Sequence, residues 1–151
     1  VSPDLRAEID FERGQVSRLL QESAPLLTLC RRQAPDAMAR AALASILHSF
    51  YTGVENLFKR IATATGETLP TAATWHRDLL TAMSEAGPGR PAVISEDARA
   101  ALRPYLAFRH AFRHAYTFDL QWDKMQDLVL ALDDTWRRVD AELAAFCDAM
   151  G

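Results

Sequence analysis

Met38-Ala-Arg-Ala-Ala-Leu-Ala-Ser-Ile-Leu-His-Ser-Phe-Tyr-Thr-Gly-Val-Glu-Asn-Leu-Phe-Lys-Arg-Ile61 is the run that decides the fold class. Met38, Ala42, Ile46, Phe50, Val54, Leu57, Phe58 and Ile61 return every three or four residues, as the buried face of an α-helix does. The many alanines and Gly53 leave room for a second helix to approach closely. Gly66 suits a C-terminal stop, and Leu69-Pro70-Thr71 reads as a loop leading to a new helix start.

The same period continues on both sides. Upstream, Leu5, Ile9, Val16, Leu19, Leu20, Leu26, Leu27 and Cys30 trace a long first helix. Gln33-Ala34-Pro35-Asp36 ends it, because the residue before a proline is pushed out of the helical region. Downstream, a shorter third helix is predicted over Ala72 to Glu85, carrying Trp75, Leu79, Leu80 and Met83. Gly87-Pro88-Gly89-Arg90-Pro91 is the clearest loop. Ser95, with Glu96 and Asp97 behind it, predicts an N-cap with acids in the first turn. The fourth helix then runs toward an interruption at Phe118-Asp119-Leu120, with a bend at Pro104, which lacks a backbone donor. A last helix shows Trp122, Met125, Val129, Leu132, Trp136, Val139, Leu143 and Phe146. No segment alternates like a strand. The expectation is one domain over residues 1–151, an all-α up-and-down bundle of about five helices with the active segment on the fourth.

Composition is that of an ordinary globular chain, with 49% hydrophobic and 25% charged residues, which argues against disorder. A net charge of −3 gives no global attraction for nucleic acid, so any such site must be a local patch. Cys30 and Cys147 stand outside any metal-ligand spacing and read as buried thiols in two helices. No apolar run approaches the roughly 18 residues of a membrane span, and the N-terminus shows no signal-peptide core. A cytoplasmic protein without membrane contact is expected.

The local patch lies in Arg109-His110-Ala111-Phe112-Arg113-His114-Ala115-Tyr116. Arg99, Arg103, His110 and His114 share one helical stripe, while Tyr105, Phe108, Phe112 and Ala115 take the opposite side and are candidates for the core. Arginine grips phosphate oxygens as a fork, and histidine moves protons near neutral pH, so the set suits phosphodiester chemistry. Two readings of the histidines compete. At i, i+4 they could share a metal, but a site needs a third ligand, and only Asp119, Asp123 and His76 offer one. The other reading makes His114 the proton-transfer group, with His110 and Arg113 as polar neighbours. Arg109 and His114 are five residues apart, which on a straight helix turns them about 140° away from each other. A two-fold homodimer that apposes two motif helices removes that difficulty.

The R-x4-H spacing followed by Tyr resembles the signature of HEPN-domain ribonucleases of the HepT-like kind. The block from Tyr51 to Ala62, Thr74-Trp-His-Arg-Asp-Leu-Leu80, Arg90-Pro91 and Phe118-Asp-Leu-Gln-Trp122 are also similar to that family, together covering roughly residues 45 to 140. The resemblance implies a HEPN-like bundle and a metal-independent RNase toxin with no cofactor. Its partners would be RNA, a second copy of the chain and an MntA-type nucleotidyltransferase antitoxin. It implies that Arg109 holds the scissile phosphate and that His114 relays the proton of the ribose 2′-hydroxyl, leaving a 2′,3′-cyclic phosphate. It also implies that Tyr116 accepts AMP, which blocks the cleft. The position after Arg109, often Asn or Asp in HEPN proteins, is His110 here. Glu55 reads either as a partner that orients Arg109 or as an ordinary surface carboxylate. Trp75 and His76 read as packing and helix-start residues. The rival expectation is a catalytically inactive HEPN-like dimer that serves as a binding module for a nucleotidyltransferase.

Overall fold

The computed structural model describes all residues from Val1 to Gly151. It is all-helical: α1 (Pro3–Cys30), α2 (Ala37–Ala64), α3 (Trp75–Met83), α4 (Glu96–Phe112), a single 3-10 turn (Thr117–Asp119) and α5 (Trp122–Met150). The boundaries follow local chemistry. Ser2, Asp36 and Ser95 each accept a backbone N–H of the first turn, from Leu5, Ala39 and Ala98, which satisfies donors that a helix start leaves unpaired. Gly66, at φ +79°, ends α2, and the Glu67 N–H returns to the Ala62 carbonyl at 2.9 Å. Helix α3 is shorter than the spacing predicts. The Thr74 hydroxyl donates to the Asp78 carboxylate at 2.8 Å instead of capping a backbone amide.

Helix α2 is the central element, and it packs against every other helix. Its core face is Leu43, Leu47, Phe50, Tyr51, Val54, Leu57, Phe58 and Ile61, all essentially without solvent contact. The first part of the predicted stripe is displaced. Met38 is 84% exposed, Ala42 is exposed and Ile46 only half-buried. Each four-residue step advances a helix by about 40° beyond a full turn, so Met38 and Val54 end on nearly opposite faces. Leu43 and Leu47 continue the real stripe instead. A Cβ added at Gly53 would lie 2.7 Å from Val16 Cγ2, so glycine permits the close approach of α1 to α2. Cys30 and Cys147 are buried free thiols, as expected. Trp136 Nε1–H donates to Ser17 Oγ at 3.0 Å, and the Tyr105 hydroxyl donates to the Leu128 carbonyl at 2.7 Å, tying α5 to α1 and to α4.

The loop between α3 and α4 is held by a buried cation. Arg90, with a side chain 1% exposed, forks onto Glu67 at 2.6 and 2.7 Å and donates to the carbonyls of Ala82, Glu85 and Pro91. This joins the end of α2 to the end of α3. The Arg90 bonds, with help from the Thr65 hydroxyl, hold the Glu67 carboxyl below its ordinary range. Arg90→Ala should cost about 3 kcal/mol in urea unfolding, because it strands a partly buried carboxylate. The pair's contribution should be complete above roughly pH 5 and should fade in acid as Glu67 protonates, since its folded-state value is the lower one.

Candidate functional site

Arg109 lies on the face of α4 that also carries Leu102 and Tyr105, and it is 5% exposed. A buried guanidinium needs its charge and its donors met. Helix α2 supplies both. Arg109 Nη2 donates to Glu55 Oε1 at 3.1 Å, and Nη1 reaches Thr52 Oγ1 at 3.3 Å, one helical turn away. The guanidinium carbon stands 5.2 Å from the centre of the Tyr51 ring, within cation–π range. Burial, and then the Glu55 carboxylate, push the Tyr51 phenol far above its ordinary value, while Arg109 partly offsets the rise. The Tyr51 hydroxyl is buried without a hydrogen-bond partner.

The second carboxylate oxygen of Glu55 meets helix α3. Glu55 Oε2 is 2.7 Å from His76 Nδ1, and that same nitrogen is 2.9 Å from Arg109 Nη2. Trp75, the first residue of α3, stacks on the His76 ring at 3.6 Å, and Lys59 Nζ lies over the Trp75 ring at 4.9 Å from its centre. Trp75 therefore behaves as the packing and helix-start residue its position suggests. His76 does more: it closes a Glu55–His76–Arg109 cluster drawn from three helices.

His76 and Arg109 of that cluster form one wall of a cleft of about 310 Å3 between α3 and α4, with Glu55 behind them. Arg77, Arg103, Arg109, Arg113, His76 and His110 line it, and no acidic side chain does. The local basic patch thus exists on a chain whose net charge is −3. Nearby, burial, followed by the charges of Arg109 and Arg113, pushes the His48 imidazole down, favouring its neutral form.

Of the residues singled out from the sequence, Arg109, His110 and Arg113 meet at the cleft, with Glu55 behind them. Glu55 is a direct partner of Arg109 rather than a surface carboxylate. His114 and Tyr116 stand apart from the lining. Helix α4 ends at Phe112 and does not continue through the motif toward Phe118. Residues 113–119 are all exposed, so no burial of a helical face offsets the cost of extending the helix. Ala115 is accordingly outside the core, and the predicted angle between Arg109 and His114 on one straight helix does not apply. The His114 ring sits 5.2 Å from that of His110, beside the cleft. Tyr116, 71% exposed, stacks on Phe118, 76% exposed, with ring centres 5.2 Å apart and planes 10° from parallel. Pro104 is accommodated within a continuous α4.

Sequence reading gave no role to Thr52 or Tyr51, and it took His76 for a packing and helix-start residue or a third metal ligand rather than a partner of Glu55 and Arg109. Thr52 was open to inference, being three residues before Glu55 and so on the same face. His76 carries no such signal, because 21 residues and a loop separate it from Glu55.

No helix is long and apolar enough to cross a membrane. Neither a curated protein nor a solved structure matches the chain. A family model described as HepT-like protein matches residues 42–150, which takes in α2 with Glu55, α3 with His76 and α4 with Arg109. Since that span holds the whole cluster and most of the sequence, the chain belongs to the HepT-like family.

Proposed function

We propose that this chain is a metal-independent endoribonuclease, the toxin of a toxin–antitoxin pair, which acts as a homodimer and is silenced when an MntA-type nucleotidyltransferase transfers AMP to Tyr116. The observation that carries the reading is the cleft itself: a guanidinium held rigidly by Glu55 and Thr52 in a wall with three further arginines and no acid. A fixed cation in a cleft of one sign attracts a phosphodiester and stabilises the extra charge of its transition state without reorganising. Arg109 grips the scissile phosphate. His114 accepts the 2′-hydroxyl proton as the 2′-oxygen attacks phosphorus, and a 2′,3′-cyclic phosphate forms as the 5′-oxygen departs. Ribonuclease activity is associated with the HepT-like family, and every group that this mechanism calls on is a side chain of this chain.

The dimer is supported by the placement of His114, which lies outside the lining that contains Arg109. Two copies related by a two-fold axis would set the partner's His114 against the cleft of the first. Light scattering at micromolar concentration should give a dimer, and a strict monomer that still cuts RNA would remove the shared-cleft arrangement. Cleavage of a synthetic RNA should proceed undiminished in EDTA and leave cyclic phosphate ends visible by mass spectrometry. Activity lost in chelator and restored by zinc would instead assign the His110–His114 pair to a metal. A protein that dimerises yet cuts no RNA would leave the binding-module reading in its place.

A further inference from the structure

We infer that His76 is a second proton-transfer group of this cleft, poised by Glu55; the inference rests on the ribonuclease reading above. Cleavage by 2′-hydroxyl attack moves two protons. One leaves the 2′-oxygen as its bond to phosphorus forms, and one must reach the 5′-oxygen as its bond to phosphorus breaks, or an alkoxide departs. His114 accounts for the first transfer only. The second needs a donor at the same phosphate, and that phosphate is the one held by Arg109.

His76 is built for this task by three contacts. Nδ1 lies between Glu55 Oε2 at 2.7 Å and Arg109 Nη2 at 2.9 Å. Arginine has only donors, and of the two hydrogens on Nη2 one goes to Glu55 Oε1 at 3.1 Å, while the other meets Nδ1 favourably only if Nδ1 carries no proton. A lone pair on Nδ1 would face a carboxylate oxygen at the shorter of the two distances. The contact with the carboxylate is the shorter and the charge-assisted one, so the proton is placed on Nδ1, donating to Glu55 at the expense of the longer Arg109 contact, and the reactive nitrogen is then Nε2, which has no protein partner. The Trp75 stack at 3.6 Å fixes the ring plane. The side chain is 27% exposed and lines the cleft beside Arg109, Arg77 and His110. A carboxylate that fixes tautomer and orientation while the far nitrogen meets solvent or substrate is the arrangement that makes histidine an acid–base group. In the proposed step His76 enters as the imidazolium, with Nδ1–H on Glu55 and Nε2–H facing the cleft; Nε2–H gives its proton to the departing 5′-oxygen and leaves a neutral ring, while His114, neutral at the start, becomes the imidazolium by taking the proton of the 2′-hydroxyl. Exchange with water then restores both rings.

The experiment compares two substrates in EDTA, using the full-length protein. One is a synthetic RNA whose cleaved junction has been mapped. The other is the same RNA with sulfur replacing the 5′-bridging oxygen at that junction, because a thiolate departs without being protonated. His76→Gln, which retains a polar group toward Glu55, should cut the all-oxygen RNA about 100-fold or more slowly and the sulfur-bridged RNA within about tenfold of the wild-type rate. His114→Ala should fail on both. His76→Ala should repeat the pattern, and activity on the sulfur substrate itself reports that a variant is folded. Equal loss by His76→Gln on both substrates would make His76 a structural support and overturn the inference, as would undiminished cleavage of the all-oxygen RNA. Wild-type protein that cuts neither substrate would instead overturn the ribonuclease reading, and this inference with it.

Discussion

His114→Ala should lower RNA cleavage by about two to four powers of ten, the usual worth of a positioned proton-transfer group, with no change in melting temperature. The second half of that expectation follows from placement: His114 is exposed on the turn after α4 and supports no buried contact. Arg109→Ala should be nearly as damaging, at about two to three powers of ten, by removing charge stabilisation at the phosphate. Unlike His114→Ala, it should also soften the fold, because it leaves the buried Glu55 carboxylate with His76 as its only close partner. Arg109→Lys separates the two effects, since it keeps a cation beside Glu55 but loses the planar fork. Mixing the two alanine variants gives a sharper result. In a shared cleft each site takes Arg109 from one protomer and the partner's His114 from the other. A mixed dimer of the two variants then retains one intact site, and about a quarter of the wild-type rate should return on subunit exchange. No recovery, with exchange demonstrated, would place both groups in a single chain.

Tyr116→Phe should abolish modification by a cognate nucleotidyltransferase and ATP while keeping substantial RNA cleavage. Intact-mass spectrometry reads the first and the EDTA assay the second. Tyr116 is the exposed phenol two residues beyond His114, so its hydroxyl is open to an incoming adenylyl group without unfolding. The other two tyrosines are poor acceptors by comparison. Tyr51 is buried behind Arg109, and the Tyr105 hydroxyl is committed to the Leu128 carbonyl. Adding AMP at Tyr116 places bulk and negative charge beside the basic cleft, and both oppose the entry of an RNA phosphate. Phenylalanine retains the stack on Phe118, so the turn should keep its shape. Equal mass gain in wild type and Tyr116→Phe would put the modification elsewhere and end the switch proposal.

The helical character of the chain, its breaks and its caps were legible in the sequence because they are local. Pro35, Gly66 and Ser95 act through their own backbone or the next turn, and each sits where its chemistry requires. The candidate Arg109 was legible too, through its residue type and its spacing to His114 and Tyr116. Where periodicity was extrapolated it drifted: the Met38–Ala42–Ile46 steps left the core face, and α4 stopped at Phe112 because none of residues 113–119 is buried.

The assembly of the cluster was decided only by tertiary structure. Glu55, His76 and Arg109 come from α2, α3 and α4, and no periodicity links positions separated by loops. Their meeting depends on how α3 docks, which Arg90 governs by binding the end of α2 to the end of α3. The amino-acid sequence by itself determined which segments are helical and which residues can handle phosphate and protons, since both are properties of short stretches. Which of those residues share a cleft, and that Arg109 is clamped within it while His114 and Tyr116 stand outside, was settled by packing, because burial and ion pairing are satisfied between helices rather than along them.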